Sequence, residues 1–444
     1  AAAAFAAAAR AEAQRMRYAE ALALATTGAN LARQAADRHA LALLQGEALR
    51  ELGRNADALA AFEQARDVAA DEADAARAWT EIAGVHRFLA QVEPAWQALD
   101  QAQPVAERLG DDGWCARIHY LRGNLCFARG EIAACAAEHG AALALAERAG
   151  DELAQAQALS GLGDAHYAAG RLRSALQAFE RCVAMCERVD ARRFAVMNRA
   201  MLGWCCFWHG RHAESRRQLQ AAREAAVAMA HRNAEAMVVE SLGVMLAWAN
   251  DAQAAAELQQ AIALAHAAGM RRFELISLAA LAAVRRRHGA RAEGLELARQ
   301  AWQLCTEVRA EAFAGALVLA EVGCCSDDPA EAEALFEQAQ RLLAAVAVSH
   351  NHLVLHVELM RLRLAQRRHG DALRHADALE HYVGDEPVFW ATHHARVGRA
   401  LVRAAQGETG AALAAELAAL IDEAQAAGLA HDRPALQAAL AACQ

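Results

Sequence analysis

The chain has 444 residues, 56% of them apolar and 5% aromatic, with 5 Pro, 11 Cys and a formal net charge of −9. That length exceeds a single compact core, so it implies several domains or an elongated array. An acidic chain without basic blocks lacks the positive stripe that displaces counterions from phosphate, which excludes nucleic acid as a partner of this region and disfavours an acidic membrane surface. No apolar run approaches the roughly eighteen residues of a membrane span, and the opening AAAAFAAAAR has neither the basic flank nor the cleavage pattern of a signal peptide, so the chain reads as cytoplasmic and soluble.

All 45 basic residues are Arg, and Lys is absent. A P-loop needs its Lys on the phosphates and a Schiff-base enzyme needs an amine, so both chemistries are excluded. There is no HExxH, no GxSxG elbow and no CxxC. The cysteines are scattered, with Cys205/Cys206 and Cys324/Cys325 adjacent in sequence, a geometry unsuited to ordinary disulfides; they read as small, reduced, buried hydrophobes. Cys182 and Cys186 stand one helical turn apart, and packing is favoured over metal binding there. His350, His352 and His356, followed by His393 and His394, make the one plausible metal reading, and no second ligand cluster at fixed spacing supports it. No metal, cofactor or catalytic residue is expected.

Taken in chain order, residues 1–37 read as a degenerate opening helical unit. The first residue is not Met, and the chain is read as a fragment of a longer protein. From 38 to 430 a continuous repeat is expected, marked by turn positions Gly53, Ala90, Gly130, Gly170, Gly210, Asn250, Gly289 and Gly407 at intervals near forty. Each block predicts a first helix, a left-handed turn and a second helix. Units near 38–72, 111–150, 151–190 and 191–230 are clear, those near 231–268, 269–308 and 309–346 have a shortened or altered turn, and the pattern weakens beyond 347. Residues 431–444, with Pro434 in a first-turn position, predict a closing cap helix.

Within one unit the pattern Leu162, Gly163, Gly170, Ala175, Phe179, Cys182, and in another Gly46, Gly53, Ala58, Phe62, Ala65, resembles the tetratricopeptide repeat (TPR) signature, and Trp79 occupies its early Trp position. The resemblance implies an all-α, right-handed TPR-type α-solenoid of about ten helical hairpins. The period near forty, with the closing stretch around Glu386, Pro387 and Trp390, is similar to the MalT-like sensor regions of bacterial multidomain signal-transduction ATPases and cyclase-linked regulators. The resemblance implies a non-catalytic sensor or interaction arm of a larger regulator, whose ATPase, cyclase or DNA-binding modules lie elsewhere and could contact it within the same protein. A free-standing scaffold or adaptor is the first alternative, and an enzyme with a hydrolytic site in the groove the second.

In such a superhelix the first helices line the concave wall. The wall positions collect Tyr120, Phe127, Tyr167, Trp204, Phe207, Trp208 and Trp248 within four consecutive units of an aromatic-poor chain. Aromatic platforms beside polar groups suit a peptide, a protein segment or a flat small-molecule effector. Tyr167, Trp204, Trp208 and Trp248 are expected to make apolar contacts and Asn124, Asp164 and Glu240 to orient the ligand. Arg87 toward one end and Arg286 toward the other flank the stripe as sites for an acidic segment. The alternative is that the rings pack between neighbouring first helices.

Overall fold

Alanine in every helix and proline at only five positions favour long helices, and the computed structural model is built of them. It describes residues 1–345 and 348–443. Two compact units divide between Ala165 and His166. The first holds α1 (Ala2–Gln14), α2 (Tyr18–Leu31), α3 (Ala35–Glu51), α4 (Asn55–Asp67), α5 (Glu72–Phe88), α6 (Val92–Leu109), α7 (Asp112–Arg129), α8 (Ile132–Ala149) and most of α9 (Glu152–Ala168). The second holds α10 (Leu172–Arg188), α11 (Arg192–Trp208), α12 (His212–Ala228), α13 (Arg232–Ala249), α14 (Ala254–Ala267), α15 (Arg271–Arg287) and α16 (Arg291–Glu307). It continues with α17 (Ala316–Cys325), α18 (Pro329–Ala345), α19 (Ser349–Ala365), α20 (His369–Val383), α21 (Phe389–Ala405), α22 (Ala411–Ala426) and α23 (Arg433–Cys443). No strand occurs among the described residues. The fold is all-α, a TPR-type solenoid of helical hairpins.

Backbone geometry carries the repeat. All eight turn positions marked in the sequence have positive φ: Gly53 76°, Ala90 57°, Gly130 76°, Gly170 75°, Gly210 76°, Asn250 59°, Gly289 85° and Gly407 88°. At each well-formed turn the following amide reaches back over the helix end, as Arg54 N to Leu49 O and Gln91 N to His86 O, both at 2.9 Å, which satisfies carbonyls the helix leaves open. Asp71, Asp111 and Asp151 cap the N-terminal ends of α5, α7 and α9, accepting from Asp74 N, Trp114 N and Ala154 N at 2.8–2.9 Å. The altered unit near 309–346 has a physical form: a π-helical turn at Glu311–Gly315 leads into the ten-residue α17, which stops at Ser326 in extended backbone.

Close helix packing depends on residues without side-chain bulk. A Cβ on Gly46 would lie 2.5 Å from the Phe62 ring, as the pairing read from the sequence requires. In the unit that contains Gly163, His139 of α8 wedges against both Gly123 and Gly161, where a Cβ would stand 2.6 and 2.2 Å from its ring. Burial pushes His139 down to about 4, so it packs as a neutral ring.

Candidate interaction surfaces on the first helices

In the second unit the structure brings the sequence-marked aromatics together. Trp204 stacks on Trp208 with centroids 5.9 Å apart, Trp248 lies 5.2 Å from Trp204 and 5.3 Å from Trp208, and Phe207 meets Trp208 edge-on at 5.2 Å. Trp208 donates its indole N–H to Tyr167 Oη at 3.2 Å. Trp204 donates to Ser241 Oγ at 3.1 Å, and Ser241 donates to Glu240 at 3.2 Å. Glu240 is buried, which pushes its carboxyl up to about 8, so it keeps its proton at neutral pH.

This wall is not open. Trp208 has no exposed surface, and Tyr167, Phe207, Glu240 and Trp248 are buried, with Trp204 partly so. The expectation that these rings face a free channel is therefore corrected: they form the core of the second unit, because its own last hairpins pack onto them. Trp390 of α21 meets Phe207 and Trp208, each at 5.3 Å, and His350 of α19 lies 6.1 Å from Trp204 with its Nδ1 3.4 Å from Tyr167 Oη. Ser349 donates to the Tyr167 carbonyl, and Glu386 accepts from Ser174 N and Oγ at 2.8 and 2.6 Å. Two turn glycines serve twice here. At Gly170 a Cβ would lie 3.0 Å from Tyr382 O, and at Gly210 it would lie 2.8 Å from the Phe389 ring, so no side chain fits between the turns and the covering segment.

A buried ion network seals the same contact. Arg286 pairs with Glu321 at 2.7 Å, Arg287 with Glu358 at 3.0 Å, and Arg361 with both Glu358 at 2.8 Å and Asp432 at 2.7 Å. His394 Nδ1 lies 3.0 Å from Asp432, and Ala430 N donates to Ala249 O at 3.1 Å. Burial alone would raise the Glu358 carboxyl, but Arg287, Arg361 and Arg286 outweigh it and hold the group well below the usual carboxylate range. Arg286, marked as a flanking anion site, is thus already matched to carboxylates. The histidines that suggested metal sit in this seam as neutral rings: His352 stacks on Tyr382 at 4.0 Å, and His356 Nδ1 meets His375 Nδ1 at 3.1 Å. A cavity of about 280 Å³ opens beside the seam, lined in part by Phe207, His212, Ser215, Met245, Ala427 and Gly428.

The first unit presents a different wall. Glu81 on α5 accepts from Arg50 of α3 and from Arg117 of α7, the latter through Nε at 3.0 Å and Nη2 at 2.9 Å. Arg87 follows on the same helix and stacks 4.3 Å over the Phe88 ring. Tyr120 and Asn124 are partly exposed, and Asn124 donates to Tyr120 O at 3.0 Å, tying it to its own helix. Phe88 and Phe127 remain 57% and 41% exposed. Asp164 lies on α9, where burial pushes its carboxyl up to about 7. Sequence reasoning missed Trp390, His350 and Glu358 as partners of the wall; the all-round apolar run of α13, AMVVESLGVMLAWA, was the signal that something covers it.

Helix hairpins with left-handed turns at this spacing, close-packed through small residues, define a tetratricopeptide-type repeat array, a fold of protein interaction. Residues 114–188 match the tetratricopeptide repeat family model. No curated protein sequence matches the chain. Among solved structures the chain is similar in fold to a Rap protein complexed with Competence and Sporulation Factor, with TM-score 0.57 and 13% identity over 86% of this chain and 99% of that one. It is also similar to PH0952 from Pyrococcus horikoshii, a signal-transduction ATPase with numerous domains and a tetratricopeptide repeat sensor, with TM-score 0.51 and 12% identity over 67% of this chain and 45% of that one. The apo form of RapI matches with TM-score 0.51 and 11% identity over 62% of this chain and 99% of that one.

Proposed function

We propose that the chain is a non-catalytic sensor or protein-interaction arm of a larger cytoplasmic bacterial regulator, and that it takes a peptide or protein segment on the first-helix wall of its first unit. One observation carries this reading: the wall built from Arg87, Tyr120, Asn124 and Phe127 keeps aromatic and cationic groups accessible, whereas the wall of the second unit is filled by its own hairpins. The fold likeness to a Rap protein complexed with a factor, and to an ATPase whose repeats form a sensor, supports it. The cavity at Phe207 and His212 favours a small-molecule effector as a second reading, in which a compound adjusts the packing of the last hairpins.

Two double variants test the assignment against a pool of displayed peptides. Phe88→Ser with Phe127→Ser is expected to abolish peptide capture while helical content and melting temperature stay as they were. Trp204→Ala with Trp208→Ala is expected to lower stability by about 3–5 kcal/mol for the fully buried Trp208 and by less for the partly buried Trp204, because it opens a cavity in the core. Peptide capture that survives the first pair and is lost in a still stable second pair would place the site on the other wall.

A further inference from the structure

Among the charged groups of the first-unit wall, one is left without a counter-charge. Arg50 and Arg117 share Glu81, and Arg50 also approaches Glu51 at 4.0 Å. No carboxylate among the described residues comes within ion-pair distance of Arg87, and its Nε is buried with no hydrogen-bond partner. Its near charged neighbours include Arg50 and Arg117, so a third guanidinium sits where two others already repel it. The buried Nε–H costs free energy until an acceptor meets it, since burial removes its water without supplying a partner, while the rest of the half-buried guanidinium stays within reach of an anion. Glu47 also faces this region, where burial and Glu81 raise its carboxyl against the pull of Arg50 and Arg117.

Resting on the proposed peptide-binding role, we infer that Arg87 is the receptor for an acidic side chain of a partner protein's extended segment, with Phe127 receiving an apolar side chain about three residues away. Charge complementarity at Arg87 chooses the anion: Arg50 and Arg117 already share Glu81 and Arg50 also approaches Glu51, whereas Arg87 has no carboxylate within ion-pair distance among the described residues. Guanidinium and carboxylate can then form a bidentate pair. Repeat register chooses the spacing. Arg87 and Phe127 each stand three residues before their turn, at Ala90 and Gly130, on neighbouring first helices. Packed helices lie about 8–10 Å apart and an extended peptide advances about 3.3 Å per residue, so one helix step corresponds to roughly three residues. The Phe88 ring beneath Arg87 holds the guanidinium plane and offers an exposed apolar floor beside it.

The test uses fluorescein-labelled, C-terminally amidated peptides in a Gly/Ser background, carrying Glu and Leu three residues apart in both orders, with Lys in place of Glu as control. Fluorescence anisotropy against the whole chain is expected to show the Glu peptide binding at least tenfold more tightly than the Lys peptide, with affinity falling as salt is raised. Arg87→Met is expected to remove that preference and Arg87→Lys to restore part of it, both with unchanged circular dichroism. Equal binding of Glu and Lys peptides, or an Arg87→Met variant that keeps the preference, overturns the carboxylate assignment and leaves the peptide-binding reading standing. Tight binding of Gly/Ser peptides only when the C-terminus is a free carboxylate overturns the side-chain assignment. Failure of every peptide, Lys control included, overturns the peptide-binding reading and this inference with it.

Discussion

At the scale of single residues, Ala90 shows how strictly the repeat imposes its backbone. It occupies a left-handed turn that glycine fills at the corresponding positions Gly53 and Gly130, with φ of 57° against 76° at both. An L-residue there crowds its Cβ against the following carbonyl. A Cβ placed on Gly130 meets nothing within 4 Å, so the effect of exchanging Ala and Gly at these turns is one of backbone conformation alone. Ala90→Gly is therefore expected to stabilise by about 1 kcal/mol and Gly130→Ala to destabilise by a similar amount, read as opposite shifts in the urea midpoint. Two shifts of the same sign would mean that something other than φ governs the turns.

At the scale of elements, α13 is the member whose surroundings differ most from an ordinary repeat helix. From Ala236 to Ala249 every residue is buried, although a helix in an open solenoid shows one face to solvent. The covering hairpins are held by Glu358, which serves Arg286, Arg287 and Arg361 together. Glu358→Gln takes from Arg287 its carboxylate partner and leaves Arg286 and Arg361 with Glu321 and Asp432 alone, and removal of one partner from a largely buried ion network typically costs about 3–5 kcal/mol. Hydrogen exchange is expected to speed up in α15, α19 and the 430–432 segment, with α3 and α5 of the first unit unaffected. Uniform loss of protection through both units would show that the network does not act locally.

At the scale of the whole molecule, buried titratable groups set the pH range of stability. His139, His212, His350, His352, His375 and His394 are pushed down to about 4 and His356 and His431 to about 3, in each case by burial first. Their unfolded value is about 6.5, so the stability they confer is complete above that pH and is lost as pH falls toward 4, because the unfolded chain takes up protons that the folded one refuses. Glu240, raised to about 8, and Asp164, raised to about 7, act the other way: the folded chain keeps their protons, and that contribution falls as pH rises from about 4 through those values. Histidines outnumber these carboxyls, so the melting temperature is expected to peak near pH 7, fall steeply between about pH 6.5 and 5, and decline more gently between about pH 7 and 8 as Glu240 gives up its proton. A profile flat from pH 7 to 5 would be inconsistent with neutral packing of these rings.

Much of the fold was legible locally because a left-handed turn, a small residue at a helix contact and a buried Phe each leave a mark within one repeat. Gly53 to Gly407, Gly46 with Phe62 and the clustering of Trp204, Trp208 and Trp248 all follow from spacing. What faces a wall does not, because it comes from residues far along the chain: Trp390 stands 182 positions after Trp208, and Asp432 stands 71 after Arg361. Sequence by itself therefore determined the helices, their turns and which side of each repeat carries the aromatic and charged groups. Only the tertiary structure decided that the second unit uses that side as core while the first leaves Arg87, Phe88 and Phe127 accessible, since burial depends on non-local packing that periodicity does not encode.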